Sequence, residues 1–248
     1  MSFNDQYRPG GFSYLPVVTK NIIIINVIMY VLTQIVLRTN GMDLTDYFGL
    51  HYYLAPSFKP HQFITYIFMH DTSNPMHIIF NMFGVYIFGQ LLEQVWGPKR
   101  YLIFYLLTGL GAALAQYTVM HFQISGILDL VNQQLNAPGL SASERAYYTT
   151  EKYDFISQLD RNVIVGASGS LFGLLGAFGM LFPNRELYLY FLIPIKAKWL
   201  VIAYGAFELF SGIRNDPMDN VAHFAHIGGL LVGIVIVLIW RRDKRNFY

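Results

Sequence analysis

The chain has 248 residues, of which 54% are hydrophobic and only 13% are charged. Soluble domains carry about 25% charged residues, so this composition argues against a soluble protein and indicates a polytopic membrane protein with one compact domain. The net charge of +2 is too small to favour binding to nucleic acid. Because the chain has no cysteine, disulfides, thiolate metal sites and a cysteine nucleophile are excluded.

Six apolar stretches approach the roughly 20 residues that a helix needs to cross a bilayer. They lie at residues 21–37, 75–95, 101–122, 163–182, 199–213 and 221–240. The polar segment before the first stretch lacks the apolar core of a signal peptide, so we expect the first helix to be retained. Asn74 is an N-cap candidate for the second helix, with Pro75 at its first position. The sequence therefore predicts an all-α bundle of six transmembrane helices.

Three connecting segments have compositions of their own. Residues 40–74 are rich in aromatic side chains, too polar to span and too apolar for water, which predicts short helices in the membrane interface of the first outer loop. Residues 123–162 have a soluble composition with a possible helix start at Ser141, which predicts a small outer insert. The apolar stretch at residues 187–195 is interrupted by Pro194 and is interpreted as an interfacial connector.

Basic residues orient the bundle. Eleven of the 17 lysines and arginines fall on one side if both chain termini are cytoplasmic, and the strongest anchor is the tail at residues 241–245. We expect a cytoplasmic segment at residues 1–20, a membrane domain at residues 21–240 and a basic cytoplasmic tail at residues 241–248. The expected location is a bacterial cytoplasmic membrane. In this orientation the second, fourth and sixth helices all begin on the outer side.

Four polar residues then fall in one layer near the outer surface. Ser168 and His226 each lie about five residues into a predicted helix, which places them roughly 7–9 Å below the surface. His77 and Asn81 lie at a similar depth, four residues apart and hence on one helical face. Polar groups at membrane depth are costly and usually mark function. The set is suited to a nucleophile, a general base and oxyanion donors.

Each of these residues also has a purely structural interpretation. A serine among glycines permits close helix packing, and Gly229 with Gly233 suits contact with the glycine-rich fourth helix. Such contact can bring His226 within hydrogen-bond reach of Ser168. The pair His77 and Asn81 could instead be buried polar groups that bond to neighbouring helices.

Metal chemistry is the main alternative use of the histidines. The candidate ligands are His70, His77, His223 and His226, with His223 and His226 three residues apart on one face. No acidic residue accompanies them at ligand spacing, and the His-Glu-x-x-His motif of zinc proteases is absent. We therefore predict no metal and no cofactor. No acid lies at the outer ends of the second, fourth and sixth helices either, so a Ser/His dyad is the expected machinery. Glu93, near the inner end of the second helix, is expected to pair with Lys99 or Arg100 or to cap a neighbouring helix.

Taken together, these motifs resemble the rhomboid family of intramembrane serine proteases. The matching motifs are Gly-x-Ser-Gly at Gly166, Ser168 and Gly169; Ala-His-x-x-Gly at Ala225, His226 and Gly229; and His-x3-Asn at His77 and Asn81. The resemblance covers about residues 21–240. It implies that Ser168 is the nucleophile, that His226 is its base, and that His77, Asn81 and the Ser168 backbone N–H stabilise the oxyanion. It also implies a rhomboid-like bundle, transmembrane protein substrates and a lipid bilayer as surroundings.

The sequence departs from the family pattern in its first outer loop and beside the histidine. Where the family often has a Trp-Arg pair before the second helix, this chain has residues 59–63, Lys-Pro-His-Gln-Phe. Where the family often has a tyrosine that packs on the histidine, this chain has Phe172. Two rival functions remain: a catalytically inactive rhomboid-like protein that binds membrane helices, and a transporter. A transporter predicts internal repeats, and the two halves of the sequence show none.

Overall fold

The computed structural model describes residues 15–189, 192–214 and 221–242, and most of them are helical. The helices are α1 (Val17–Asn40), α2 (Thr45–Phe48), α3 (Gln62–Thr65), α4 (Pro75–Gly84), α5 (Gln90–Trp96), α6 (Pro98–Leu135), α7 (Ala142–Gln158), α8 (Ser168–Leu181), α9 (Ala197–Arg214) and α10 (His223–Arg242). A π-helical turn, Val85–Gly89, joins α4 to α5 into one continuous rod, and a 3₁₀ turn, Tyr66–Phe68, follows α3. Part of the predicted N-terminal segment and most of the basic tail lie outside the described residues.

Four of these helical segments are long and apolar enough to cross a membrane: Val17–Asn40, Pro75–Trp96, Pro98–Leu135 and the greater part of α10. Helix α8 has 14 residues, which is about 21 Å and less than the roughly 30 Å of a hydrocarbon core. Helix α9 has 18 residues but carries Lys198, Glu208 and Arg214. The helical bundle is confirmed, whereas the count of six spans stays a prediction.

Helix α8 forms the centre of the bundle. It packs against α6 and α10, and its residues from Phe172 to Gly179 are all buried. Helix α1, by contrast, lies at the periphery and exposes Ile28, Ile35 and many other apolar side chains. A short helix buried on all sides needs no lipid-facing stripe, which explains why α8 is apolar around its whole circumference.

The boundaries of the second spanning segment agree with the sequence prediction. The Asn74 side chain accepts a hydrogen bond from the backbone N–H of Met76, and Pro75 occupies the first turn of α4. The segment ends at Gly97, whose φ of 75° is unfavourable for other residues.

Glu93, near that end, caps α1, which was one of its predicted roles. Its carboxylate accepts hydrogen bonds from the backbone N–H groups of Val18 and Thr19 at 2.9 and 2.7 Å, and from the Thr19 hydroxyl at 2.8 Å. The side chain of Pro16, the residue before α1, cannot supply these bonds. A carboxylate also interacts favourably with the positive end of the helix dipole. The start of α1 is thereby fixed beside the end of α5.

The connecting segments agree with their predicted forms at the start of α7 and differ from them at the end of α6 and at residues 186–189 and 193–196. Helix α6 continues to Leu135, well past the predicted end at residue 122, because no helix-breaking residue occurs before Pro138. Helix α7 begins with the predicted capping box of Ser141 and Glu144. The connector at residues 187–195 belongs to an antiparallel hairpin of β1 (Glu186–Leu189) and β2 (Ile193–Lys196), in which Pro194 pairs with Tyr188.

Candidate functional site

Ser168 is the first residue of α8, so the predicted depth of five residues inside a helix is wrong. Residues 163–167 precede the helix instead, and Ile164 forms a two-bond bridge with Leu50 of the first outer loop at 2.9 and 3.0 Å. A position at the start of α8 suits an oxyanion-binding site, because the first turn of a helix leaves backbone N–H groups without intrahelical acceptors. Ser168 is half-buried and lies beside these donors.

The Ser168 hydroxyl lies within hydrogen-bond distance of His226. Its Oγ is 2.9 Å from Nε2 of His226, which sits in the first turn of α10 and is 9% exposed. The ring of Phe172 stacks on the imidazole with a centroid distance of 4.3 Å and an interplanar angle of 7°, so the departure from the family's tyrosine keeps the packing. The neighbouring Ser170 points elsewhere, because its hydroxyl donates to the Tyr105 carbonyl at 2.8 Å.

Glycine makes this juxtaposition possible. A Cβ atom on Gly229 would lie 1.9 Å from the carbonyl oxygen of Gly169, and one on Gly233 would lie 2.7 Å from that of Gly173. The backbones of α8 and α10 therefore touch directly, as the small-residue pattern predicted. Gly169 has a second close neighbour on α6, since its Cβ would lie 2.3 Å from that of Ala112.

His77 of α4 lies close to Ser168, and Asn81 lies one turn further along the same helix. Gly166 has a φ of 127°, and a Cβ placed on it would lie 2.9 Å from His77 Nε2 and 3.6 Å from Ser168 Oγ. Because Gly166 has no side chain, a space remains between the imidazole of His77 and the hydroxyl of Ser168. Asn81 is 4% exposed, and its Nδ2 has no hydrogen-bond partner among the described residues. A buried amide without an acceptor is costly, and such a donor is available to a substrate oxygen.

The first outer loop holds these elements in place. Gln62, within the stretch that replaces the family's Trp-Arg pair, is fully buried and bonds to four backbone groups of the loop. Tyr66 donates its hydroxyl to the Gly109 carbonyl of α6 at 2.7 Å, and its own carbonyl accepts from the N–H of Gly166 at 3.1 Å. The loop is therefore anchored by hydrogen bonds both to α6 and to the segment that precedes Ser168.

His70 also lies in this loop and packs edge-on against His77, with a centroid distance of 5.1 Å. Burial lowers the pKa of His70 to about 3, with a smaller contribution from the neighbouring His77. His70 is therefore neutral at physiological pH and adds no positive charge beside His77.

The sequence reasoning missed Glu208 of α9. Its Oε2 lies 2.6 Å from Nδ1 of His223 and 2.9 Å from Nδ1 of His226. The expectation that no acidic residue accompanies these histidines is wrong, because Glu208 reaches them from α9, a helix distant from them in sequence spacing. Glu208 lies six residues before the end of α9. Its position near the end of the fifth predicted helix, at a depth similar to that predicted for Ser168 and His226, is the sequence signal that points to it.

Among the described residues, Glu208, His223 and His226 are also the group that could hold a metal ion, since their ligand atoms lie within 4.8 Å of one another. The four histidines that were considered as an alternative metal cluster are not the group that forms. Two ligands of a tetrahedral zinc ion, with bonds of 2.0–2.1 Å, lie about 3.3 Å apart. The 2.6 Å separation of His223 Nδ1 and Glu208 Oε2 instead fits a shared proton.

Comparison with known proteins identifies the fold and the family. The family model of the Rhomboid domain matches residues 57–243. RHOMBOID-like protein 6, mitochondrial, of Arabidopsis thaliana is 28% identical over 71% of this chain, and Rhomboid-like protein 11, chloroplastic, of the same plant is 27% identical over 85%. Rhomboid protease AarA of Providencia stuartii is 25% identical over 68%. The chain spans 42%, 64% and 52% of the lengths of these three relatives.

The family match covers most of the chain and includes all the residues of the predicted site. Together with the apolar helices it identifies a multi-pass membrane protein. The names of the plant relatives place those proteins in organelles, so the bacterial membrane expected from the sequence stays a prediction. This chain belongs to the rhomboid family.

Proposed function

We propose that the protein is an intramembrane serine endopeptidase that cleaves transmembrane or membrane-adjacent segments of other membrane proteins. The observation that carries the proposal is the 2.9 Å contact between Ser168 Oγ and His226 Nε2 at the start of α8. Relatives named as a putative rhomboid protease in Bacillus subtilis and as a rhomboid protease in Providencia stuartii support it.

In this mechanism His226 Nε2 takes the hydroxyl proton as Ser168 Oγ attacks the scissile carbonyl carbon. The negative charge that develops on the carbonyl oxygen is stabilised by the Ser168 backbone N–H, by His77 and by Asn81. The intermediate collapses as His226 gives the proton to the leaving amine. A water molecule, deprotonated by His226, then releases the acyl group and restores Ser168.

The helical structure of membrane segments limits the substrates. A carbonyl within an intact helix is already hydrogen-bonded, so the scissile segment must unwind before it reaches Ser168. Segments with small residues near their outer ends unwind at lower cost. We therefore assign the substrate class as transmembrane or membrane-adjacent segments with a weak helix close to one membrane surface.

The test is cleavage of a transmembrane substrate in liposomes by the wild type and by Ser168→Ala. The wild type should cleave, and the variant should lose cleavage while keeping its thermal stability, because the change removes one oxygen from a half-buried position. Cleavage by the purified variant at the wild-type rate would reject Ser168 as nucleophile. A wild type that binds the substrate without cutting it would favour the rival function of an inactive rhomboid-like binder.

A further inference from the structure

Glu208 is placed unusually for a residue of α9. Its neighbours Phe207, Leu209 and Phe210 are 61%, 48% and 66% exposed, as expected of a lipid-facing helix, whereas Glu208 is 5% exposed. A carboxylate in a membrane helix is costly unless it faces the protein interior and meets partners there. The buried side chain of Glu208 is thus directed at α10.

The partners of Glu208 form a continuous path to the nucleophile. Its Oε2 contacts Nδ1 of both His223 and His226, at 2.6 and 2.9 Å. The other ring nitrogen of His226 lies 2.9 Å from Ser168 Oγ. One carboxylate, one imidazole and one hydroxyl therefore line up across α9, α10 and α8.

We propose that Glu208 is a positioning residue that acts through His226 and completes a Ser168–His226–Glu208 triad. This inference rests on the proposed function. A carboxylate at Nδ1 keeps the proton on that nitrogen, so that Nε2 is free to accept the proton of Ser168. It also stabilises the imidazolium that forms when that proton arrives. His223, the second donor to the same oxygen, holds the carboxylate in place.

The contact with His226 is incomplete in the resting site. Nδ1 of His226 lies 2.9 Å from Oε2 of Glu208, but the two groups are not aligned as a hydrogen bond requires. Catalytic hydrogen bonds are often poorly aligned without substrate and tighten when charge develops. The carboxylate therefore contributes most once His226 is cationic, which predicts an effect on turnover and not on substrate binding.

Glu93 supplies a matched control from the same chain. It is equally buried, at 4% exposure, and also lies in a membrane helix. Its hydrogen bonds to described residues go to the first turn of α1 and not to the candidate site. Loss of charge at Glu93 should therefore reduce thermal stability without affecting turnover per folded molecule.

The kinetic experiment compares Glu208→Gln, Glu208→Asp and Glu93→Gln in liposomes with a transmembrane substrate. For Glu208→Gln we expect kcat to fall at least tenfold while KM stays within twofold of the wild type. The expected fall is smaller than the roughly 10⁴-fold fall in kcat that follows loss of a fully aligned carboxylate in a serine protease. Glu208→Asp, which keeps the charge, should recover part of the loss and serves if the glutamine variant does not fold. A smaller loss in kcat, or an equal loss in Glu93→Gln, overturns the proposal.

A second readout does not depend on cleavage. In ¹⁵N-histidine NMR spectra of the wild type in detergent, the His226 signals are those missing from His226→Ala. We expect a proton on Nδ1 of His226 and a changed signal in Glu208→Gln. A proton on Nε2 alone, or a spectrum that Glu208→Gln leaves unchanged, contradicts the triad. If treatment with EDTA abolishes both the signal and the activity, the three residues bind a metal and the proposal also fails.

The protease function and the role of Glu208 are rejected by different results. A wild type without cleavage and without labelling by a serine-reactive probe rejects the proposed protease function. An active wild type whose Glu208→Gln variant turns over equally fast rejects only the role of Glu208.

Discussion

Replacing Gly229 with alanine tests whether contact between two helices sets the geometry of the site. A Cβ at this position would lie 1.9 Å from the Gly169 carbonyl oxygen, so α8 and α10 must separate by about 1.5 Å to reach an ordinary contact of roughly 3.4 Å. His226 lies one turn from Gly229 and moves with it. The 2.9 Å contact with Ser168 would then exceed the length of a hydrogen bond.

The expected result for Gly229→Ala is a loss of at least about 10² in kcat, because a misplacement of about 1 Å in a catalytic group has that effect. Overpacking should also lower stability by about 1–3 kcal/mol. The assay is cleavage in liposomes, with thermal unfolding in detergent measured in parallel. Activity per folded molecule separates the misplacement of His226 from a loss of folded protein.

Gly126→Ala is the matched control. Gly126 lies within α6, and a Cβ there would meet nothing within 4 Å. This variant should keep wild-type activity and be unchanged or about 0.5–1 kcal/mol more stable, because alanine favours a helix. If Gly229→Ala kept wild-type turnover, the direct contact of α8 and α10 would not control the distance between Ser168 and His226.

Three further substitutions probe other parts of the site and fold. Asn81→Ala should lower kcat by about 10²–10³ with little change in KM, the usual effect of losing one oxyanion donor; steady-state kinetics that show weaker binding alone would assign Asn81 to docking. Gly166→Ala should abolish most activity, since its φ is 127° and its Cβ would lie 2.9 Å from His77 Nε2; wild-type cleavage by this variant would contradict the placement of His77. Glu93→Gln should lower the free energy of unfolding by about 1–3 kcal/mol, and an unchanged melting temperature would show that the cap on α1 is dispensable.

The sequence predicted those features that depend on local composition. Apolar length located the four described helices that are long and apolar enough to cross a membrane, and Asn74 with Pro75 correctly marked the start of α4. The glycine spacing at Gly229 predicted close packing against the fourth helix, which brings His226 to Ser168. These signals are short-range or periodic, so a single sequence contains them.

The sequence did not predict features that depend on contacts between distant residues. The start of α8 at Ser168 follows from the bridge between Ile164 and Leu50, which are more than a hundred residues apart. The connector interpreted as interfacial forms a hairpin because β2 returns to pair with β1. The sequence shows the position of Glu208 near the end of α9, but its contact with His226 depends on which face of α9 meets α10, and a mostly exposed helix gives little periodic signal of that face.

The central claim is that Ser168 is a nucleophile activated by His226. Its most direct test is reaction of the purified protein with a fluorophosphonate, followed by mass spectrometry of the modified peptide. The account predicts one modified residue, Ser168, in the wild type, and no modification in His226→Ala, because an unassisted serine hydroxyl is a weak nucleophile at neutral pH. Modification of Ser170 instead, or unchanged labelling of Ser168 in His226→Ala, would contradict it.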